Sequence, residues 1–277
     1  MRKLLQQSKF SVQVDDWRIN AVLAGDGPLL MFIHGIGLSW KWWELQLAHF
    51  QPSYSVCAID LPGSGDSSDL TDPPEPARFS RLIESVIDAI GRGPAVLIGH
   101  SLGGYVAIQA ALSGSLKIRG LALVAPAGFG PVENVLVRAL SIPTVGEQLA
   151  KTGSTGLKVL MHSTVRQHSV LTDQLLNSIA LDARTQRQFL FQLRIALQYG
   201  GTKPSFIFPA PLQLAAPVWL AWGVHDSIFS VATGERAAEM LSVPPPTWYL
   251  KSGHMPQLEE PKTFNNALAR FVQSVLD

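Results

Sequence analysis

The sequence predicts an α/β protein in which a mostly parallel sheet carries helices on both faces and is interrupted by a helical insertion. Short apolar runs rich in branched residues alternate with helix-period stretches as far as Ala125. From Gly128 to Pro211 the strand signal disappears, and from Pro217 the alternation resumes. Strands separated by helices pair in parallel and are buried on both faces, so they read as continuous apolar runs.

Phe10–Val14 and Arg18–Ala24 are predicted to form an antiparallel pair that extends the sheet at its edge. Leu29–Ile33, Ser55–Ile59 and Ala95–Ile98 are predicted as buried parallel strands, closed by the turn formers Gly35, Pro62 and Gly99. Between them, Arg78–Ile90 places Phe79, Leu82, Ile83, Val86, Ile87 and Ile90 at helical spacing. Leu102–Leu112 then reads as helix and Gly120–Ala125 as strand. Within the insertion the clearest helix is Thr185–Tyr199, with Phe189, Leu193, Ala196 and Leu197 along it. After it come strand Pro217–Trp222, helix Ala232–Leu241, strand Thr247–Leu250 and helix Pro261–Val275. The expected organisation is a core of residues 1–127 and 212–277 with a helical cap, 128–211, inserted between its halves.

The chain has 277 residues, 47% of them hydrophobic, enough to fill a sizeable core. With 22 basic and 21 acidic residues and no run of Lys and Arg, nucleic acid is not an expected partner. The single cysteine, Cys57, excludes an intrachain disulfide and lies in a predicted strand. Gln6, Gln7, Ser8 and Lys9 interrupt the apolar stretch that a secretory signal requires after Met1–Leu5. The longest apolar region, Gly120–Leu140, is broken by Pro126, Pro131, Glu133 and Asn134, so no membrane span is expected and the expected location is the cytoplasm. The sequence has no HExxH, paired CxxC or acidic metal cluster, and His34–Gly37 lacks the third glycine of a dinucleotide fingerprint. No metal or cofactor is expected.

Chemistry concentrates at Gly99-His100-Ser101-Leu102-Gly103, a G-x-S-x-G motif between a predicted strand and a predicted helix. A sharp strand-to-helix turn holds a serine in a strained conformation, and glycine two positions to either side relieves the resulting crowding. The turn presents Ser101 at the carboxyl edge of the sheet, where open α/β folds bind ligands, beside a helix N-terminus that favours negative charge.

Taken with His34-Gly35-Ile36-Gly37, the Asp60–Gly65 segment, Asp226 and Gly253-His254, this turn resembles the α/β-hydrolase family over nearly the whole chain. The resemblance implies an eight-stranded, mostly parallel sheet with a helical cap inserted after the sixth strand. It also implies a serine, acid, histidine order of catalytic residues. Ser101 is then the nucleophile, and a base must remove its proton. Of seven histidines, His254 follows the last predicted strand and matches the family position of the base. His100 is expected to point away from Ser101, and His34 resembles a structural histidine. The acid that fixes the histidine tautomer is expected to be Asp226, at the exit of Pro217–Trp222, with Glu133 as runner-up. The family pattern assigns the oxyanion donors to the backbone N–H groups of Ile36 and Leu102.

Asp60–Asp66 is read as a structural turn. Trp40, Trp42 and Trp43 are read as core rather than pocket wall, and Arg184, Arg187 and Arg194 as a solvated helix face rather than a carboxylate site. A serine in place of aspartate at position 101 argues against epoxide-hydrolase and dehalogenase chemistry. The leading expectation is an acyl-enzyme carboxylesterase acting on a small or medium hydrophobic substrate. The alternatives are a carbon–carbon hydrolase of ring-fission products, suggested by Ala125–Gly130, a lactonase, thioesterase or perhydrolase, and a ligand receptor on the same fold. His100 and Met255 stand where the carbon–carbon hydrolases usually carry asparagine and tryptophan.

Overall fold

A computed structural model describes residues 8–140, 142–150, 154–178, 183–201, 208 and 211–277. The strands are β1 (Ser8–Val14), β2 (Trp17–Ala24), β3 (Leu29–Ile33), β4 (Ser55–Ile59), β5 (Ala95–His100), β6 (Ile118–Val124), β7 (Val218–Gly223) and β8 (Thr247–Tyr249). They form one sheet in the order β1-β2-β4-β3-β5-β6-β7-β8, antiparallel at β1-β2 and β2-β4 and parallel elsewhere. The helices of the first half are α1 (Glu44–Phe50), α2 (Pro76–Ile90) and α3 (Leu102–Leu112). Between β6 and β7 lie α4 (Val135–Leu140), α5 (Pro143–Ala150), α6 (Ser154–Thr164), α7 (Asp173–Ser178) and α8 (Ala183–Gly201). The chain closes with α9 (Val231–Leu241), α10 (Pro256–Glu259) and α11 (Pro261–Leu276). This is the expected eight-stranded α/β-hydrolase architecture with a helical cap after the sixth strand.

The period of a strand divides each core strand between two apolar layers. In β3, Leu29, Met31 and Ile33 pack with Leu82 and Val86 of α2 and Val106 of α3. Leu30 and Phe32 turn to the opposite layer, with Leu47 of α1 and Phe264, Leu268 and Val272 of α11. Both faces are covered, which is why β3 reads as five consecutive apolar residues. Cutting Phe32 back to alanine at the centre of this sandwich would cost about 3–5 kcal/mol. Proline at the first position of α2 and a left-handed Gly91 just past its end set that helix's limits.

The cap is tied to the core by polar side chains of α8 spaced four apart. Arg184 bonds Asp69 and the carbonyls of Gly65 and Ser67; Gln188 accepts the Leu70 N–H; Gln192 accepts the Gly37 N–H and donates to Pro62 O. A four-residue spacing puts these three on one face of the helix. Phe189 and Leu193 line the cavity beneath the cap. Among the described residues no helix is long and apolar enough to cross a membrane.

Candidate active site

Ser101 lies between β5 and α3 with φ 52° and ψ −116°, a region that side chains rarely occupy and that only surrounding structure can impose. Its N–H donates to Val124 O, and its carbonyl accepts from the Ala127 N–H, so the end of β6 and the residues just past it grip the turn. A Cβ at Gly99 would strike the Gly103 carbonyl, and one at Gly103 would strike Ile33 O. The two outer glycines of the motif are therefore required by contact.

His254 and Asp226 come from loops after β8 and β7 and meet with Nδ1 2.7 Å from Oδ2. A carboxylate oxygen accepts, so the imidazole carries its proton on Nδ1 and leaves Nε2 as an acceptor. The other Asp226 oxygen takes the N–H groups of Ile228 at 2.7 Å and Phe229 at 3.0 Å, which fixes the carboxylate's orientation. Glu133, the runner-up, is exposed and accepts from Ser230 Oγ at 2.6 Å.

Ser101 and His254 line one cavity of about 110 Å³. Ile36 and Leu102 lie in its wall, and Leu102 opens α3, where a backbone N–H has no acceptor within the helix. The rest of the wall is almost wholly apolar and includes Val137 of α4, Leu160 and Met161 of α6, and Phe189 and Leu193 of α8. Among the described residues that line it, none carries an Arg, Lys, Asp or Glu side chain.

His100 turns its ring to the His254 loop. It lines the same cavity, lies 4.7 Å from the His254 ring centroid and donates from Nε2 to the His254 carbonyl at 2.9 Å. Burial, reinforced by the nearby His254, holds its pKa well below the ordinary imidazole value, so the ring stays neutral. His34 is also buried with a lowered pKa, caused mainly by desolvation. Its Nδ1–H donates to Gly35 O and its Nε2 accepts from Leu61 N–H, so it ties the β3 exit to the β4 exit. Asp60 accepts from the Trp40 and Asp66 N–H groups and from Asn20, bracing the same loops.

The three tryptophans are buried core residues and none lines the cavity. Arg184 is engaged at the cap seam, Arg187 is exposed, and the Arg194 side chain lies outside the described residues. Sequence reasoning missed three groups: His100 against the His254 loop, the clamp by Gln188 and Gln192, and the buried Glu259. The Arg184, Gln188, Gln192 spacing was the available signal for the clamp, since three polar residues recur on one helix face.

Fold and insertion together define a hydrolase of the α/β class. Residues 30–267 match the model of the Alpha/beta hydrolase family, and the chain belongs to that family. It is 29% identical over 258 residues to the dihydrolipoyllysine-residue acetyltransferase component of the acetoin cleaving system of Cupriavidus necator, covering 93% of this chain and 67% of that protein. It is similar to the structure of a membrane phospholipase A, a bacterial virulence factor, with 25% identity, a TM-score of 0.77 and coverage of 98% of this chain and 87% of that one. The fold also matches 2-hydroxy-6-oxo-6-phenylhexa-2,4-dienoate hydrolase from Rhodococcus, with a TM-score of 0.81, 19% identity and coverage of 97% and 99%.

Proposed function

We propose that the protein is a serine hydrolase that cleaves a carboxylic ester of a small or medium hydrophobic substrate through an acyl-enzyme. The observation that carries this reading is the shared cavity: Ser101 on its strained turn and His254 bonded to Asp226 line the same chamber, whose described lining carries no Arg, Lys, Asp or Glu side chain. His254 Nε2 takes the Ser101 proton as Oγ bonds to the ester carbonyl carbon, and the N–H groups of Ile36 and Leu102 receive the oxyanion. Collapse of that intermediate breaks the bond to the alcohol oxygen, which leaves with the proton returned by His254. A water then gives a proton to His254 as it attacks the acyl carbon, and collapse of that intermediate breaks the bond to Oγ, which takes the proton back from His254 as the acid leaves. Asp226 holds the imidazole tautomer and stabilises the imidazolium.

The apolar wall favours an uncharged acyl or alcohol group, and the likeness to a phospholipase is in keeping with ester chemistry. The protein is proposed to need no metal or cofactor. The test is labelling by a fluorophosphonate probe, located by peptide mass spectrometry, together with a turnover screen of ester chain lengths, lactones, thioesters and ring-fission products. Labelling at Ser101 with ester turnover supports the reading. A bound ester that is never turned over would make the protein a receptor instead.

A further inference from the structure

Glu259 ends α10, five residues after His254, and its side chain is 5% exposed. One carboxylate oxygen accepts the N–H of Gly253 at 2.8 Å and of Met255 at 3.4 Å, the two neighbours of His254 in the chain. The other accepts the N–H of Arg166 at 2.7 Å and of Gln167 at 2.8 Å, which follow α6 in the cap. Burial raises its pKa and the backbone donors oppose that shift, so the site is built to receive a carboxylate in spite of the desolvation.

The same piece of cap holds the other loops of the site. Thr164 O accepts the His254 N–H at 2.8 Å, and Ser163 O accepts from Ser227 Oγ, next to Asp226, at 2.8 Å. Gly253 lies so close to this segment that a Cβ there would fall 2.7 Å from Thr164 O. At this edge the cap is a strut for the base and acid loops.

The geometry points to Glu259 as the positioning residue for His254, a side chain through which cap residues 166–167 and both flanks of the histidine are held in one frame. This rests on the proposed role of His254. A base displaced by about 1 Å loses on the order of a hundredfold in rate, whereas much of the cavity wall, from Gly35, Ile36 and Leu38, Val137 of α4, and Phe189 and Leu193 of α8, lies on segments that Glu259 does not hold. The consequence is a kcat effect with little change in KM.

Glu259→Gln keeps size but turns an NH2 toward two N–H donors. With p-nitrophenyl butyrate as probe, kcat should fall about tenfold to a hundredfold while KM stays within about threefold. The downfield proton resonance of His254 Nδ1–H should broaden or move upfield. Glu260→Gln is the control, because Glu260 accepts from Lys251 N–H and Ser252 Oγ on the same loop without touching the neighbours of His254. It should lower Tm without the kcat loss or the spectral change. Should Glu259→Gln not fold, Glu259→Asp keeps the charge but is one methylene too short to span both arms, and it should show the same kcat loss in milder form. Wild-type kcat with an unchanged resonance in a folded Glu259 variant overturns the proposal, as does a kcat loss in Glu260→Gln equal to that in Glu259→Gln. If the wild type shows no Ser101-dependent hydrolysis, the catalytic reading fails, and the resonance alone still decides whether Glu259 positions the ring.

Discussion

Asp226 divides its two oxygens between His254 and its own loop: Oδ2 meets Nδ1 at 2.7 Å while Oδ1 is held by the N–H groups of Ile228 and Phe229. Replacement by asparagine keeps that loop's acceptor on one side. On the other it can present an NH2 that stabilises the wrong imidazole tautomer. Asp226→Asn should lower kcat by about four orders of magnitude, as the same change does in serine proteases. Glu133→Gln, which alters only an exposed contact with Ser230, should stay within a few-fold of wild type. Steady-state kinetics on both folded variants decide it. A hundredfold loss confined to Glu133→Gln would reverse the assignment.

Ser101 combines function with backbone strain, and the two can be separated. Ser101→Ala should fold and lose roughly four to six orders of magnitude in turnover. Ser101→Gly loses the same hydroxyl but is at ease with φ 52°. It should therefore unfold at a higher temperature than Ser101→Ala, by about 1 kcal/mol in stability, the residue of a 1–3 kcal/mol strain after the entropic cost of glycine. Calorimetry on both variants reads this directly, and equal Tm values would mean the turn is unstrained.

Much of this was legible in the sequence because the signals were local. Strands buried on two faces appear as apolar runs, and the crowding at Ser101 appears as glycine at 99 and 103. Asp226 and His254 could be singled out because each follows a strand whose exit lies at one edge of the sheet. Glu259 could not, since its partners are backbone N–H groups, which leave no trace in residue type. Nor could the fate of Arg184 be read, because a charge on an amphipathic helix looks the same whether it meets solvent, substrate or the loop at Gly65 and Ser67. The bond from His100 to the His254 loop was illegible for a similar reason: its acceptor is a backbone carbonyl more than a hundred and fifty residues away.

Arg184 provides a test of what the cavity accepts. It is committed to Asp69 and two carbonyls at the cap seam, and no cationic side chain is among the described residues lining the chamber. A dianionic ring-fission product would have to enter without a counter-charge, at a cost of several kcal/mol per buried carboxylate. Uncharged esters should therefore be preferred in kcat/KM. Arg184→Ala should lower Tm and leave the ratio between neutral and anionic substrates unchanged. A strong preference for ring-fission products, lost on mutating Arg184, would move the protein to carbon–carbon hydrolysis.

His100 predicts how stability responds to acid. Its ring is buried and held well below the ordinary value of 6.5, so the folded protein keeps it neutral while the unfolded chain protonates it near that value. Below that pH the unfolded state binds more protons. Stability is then complete above the ordinary value and is lost as pH falls toward the lowered one, at up to about 1.4 kcal/mol per pH unit. His34 adds a loss of the same sign. Glu259, whose pKa is raised, acts in the opposite sense, since its protonated form is the one that burial favours. These two are common to wild type and to His100→Asn, so the comparison isolates His100. Between about pH 7.5 and pH 5.5 the variant should lose roughly 2–4 °C less in Tm than wild type, whatever its starting stability. Parallel Tm losses in the two proteins would show that His100 is protonated in the folded state, and its Nε2–H bond to the His254 carbonyl would then have to persist in a charged ring.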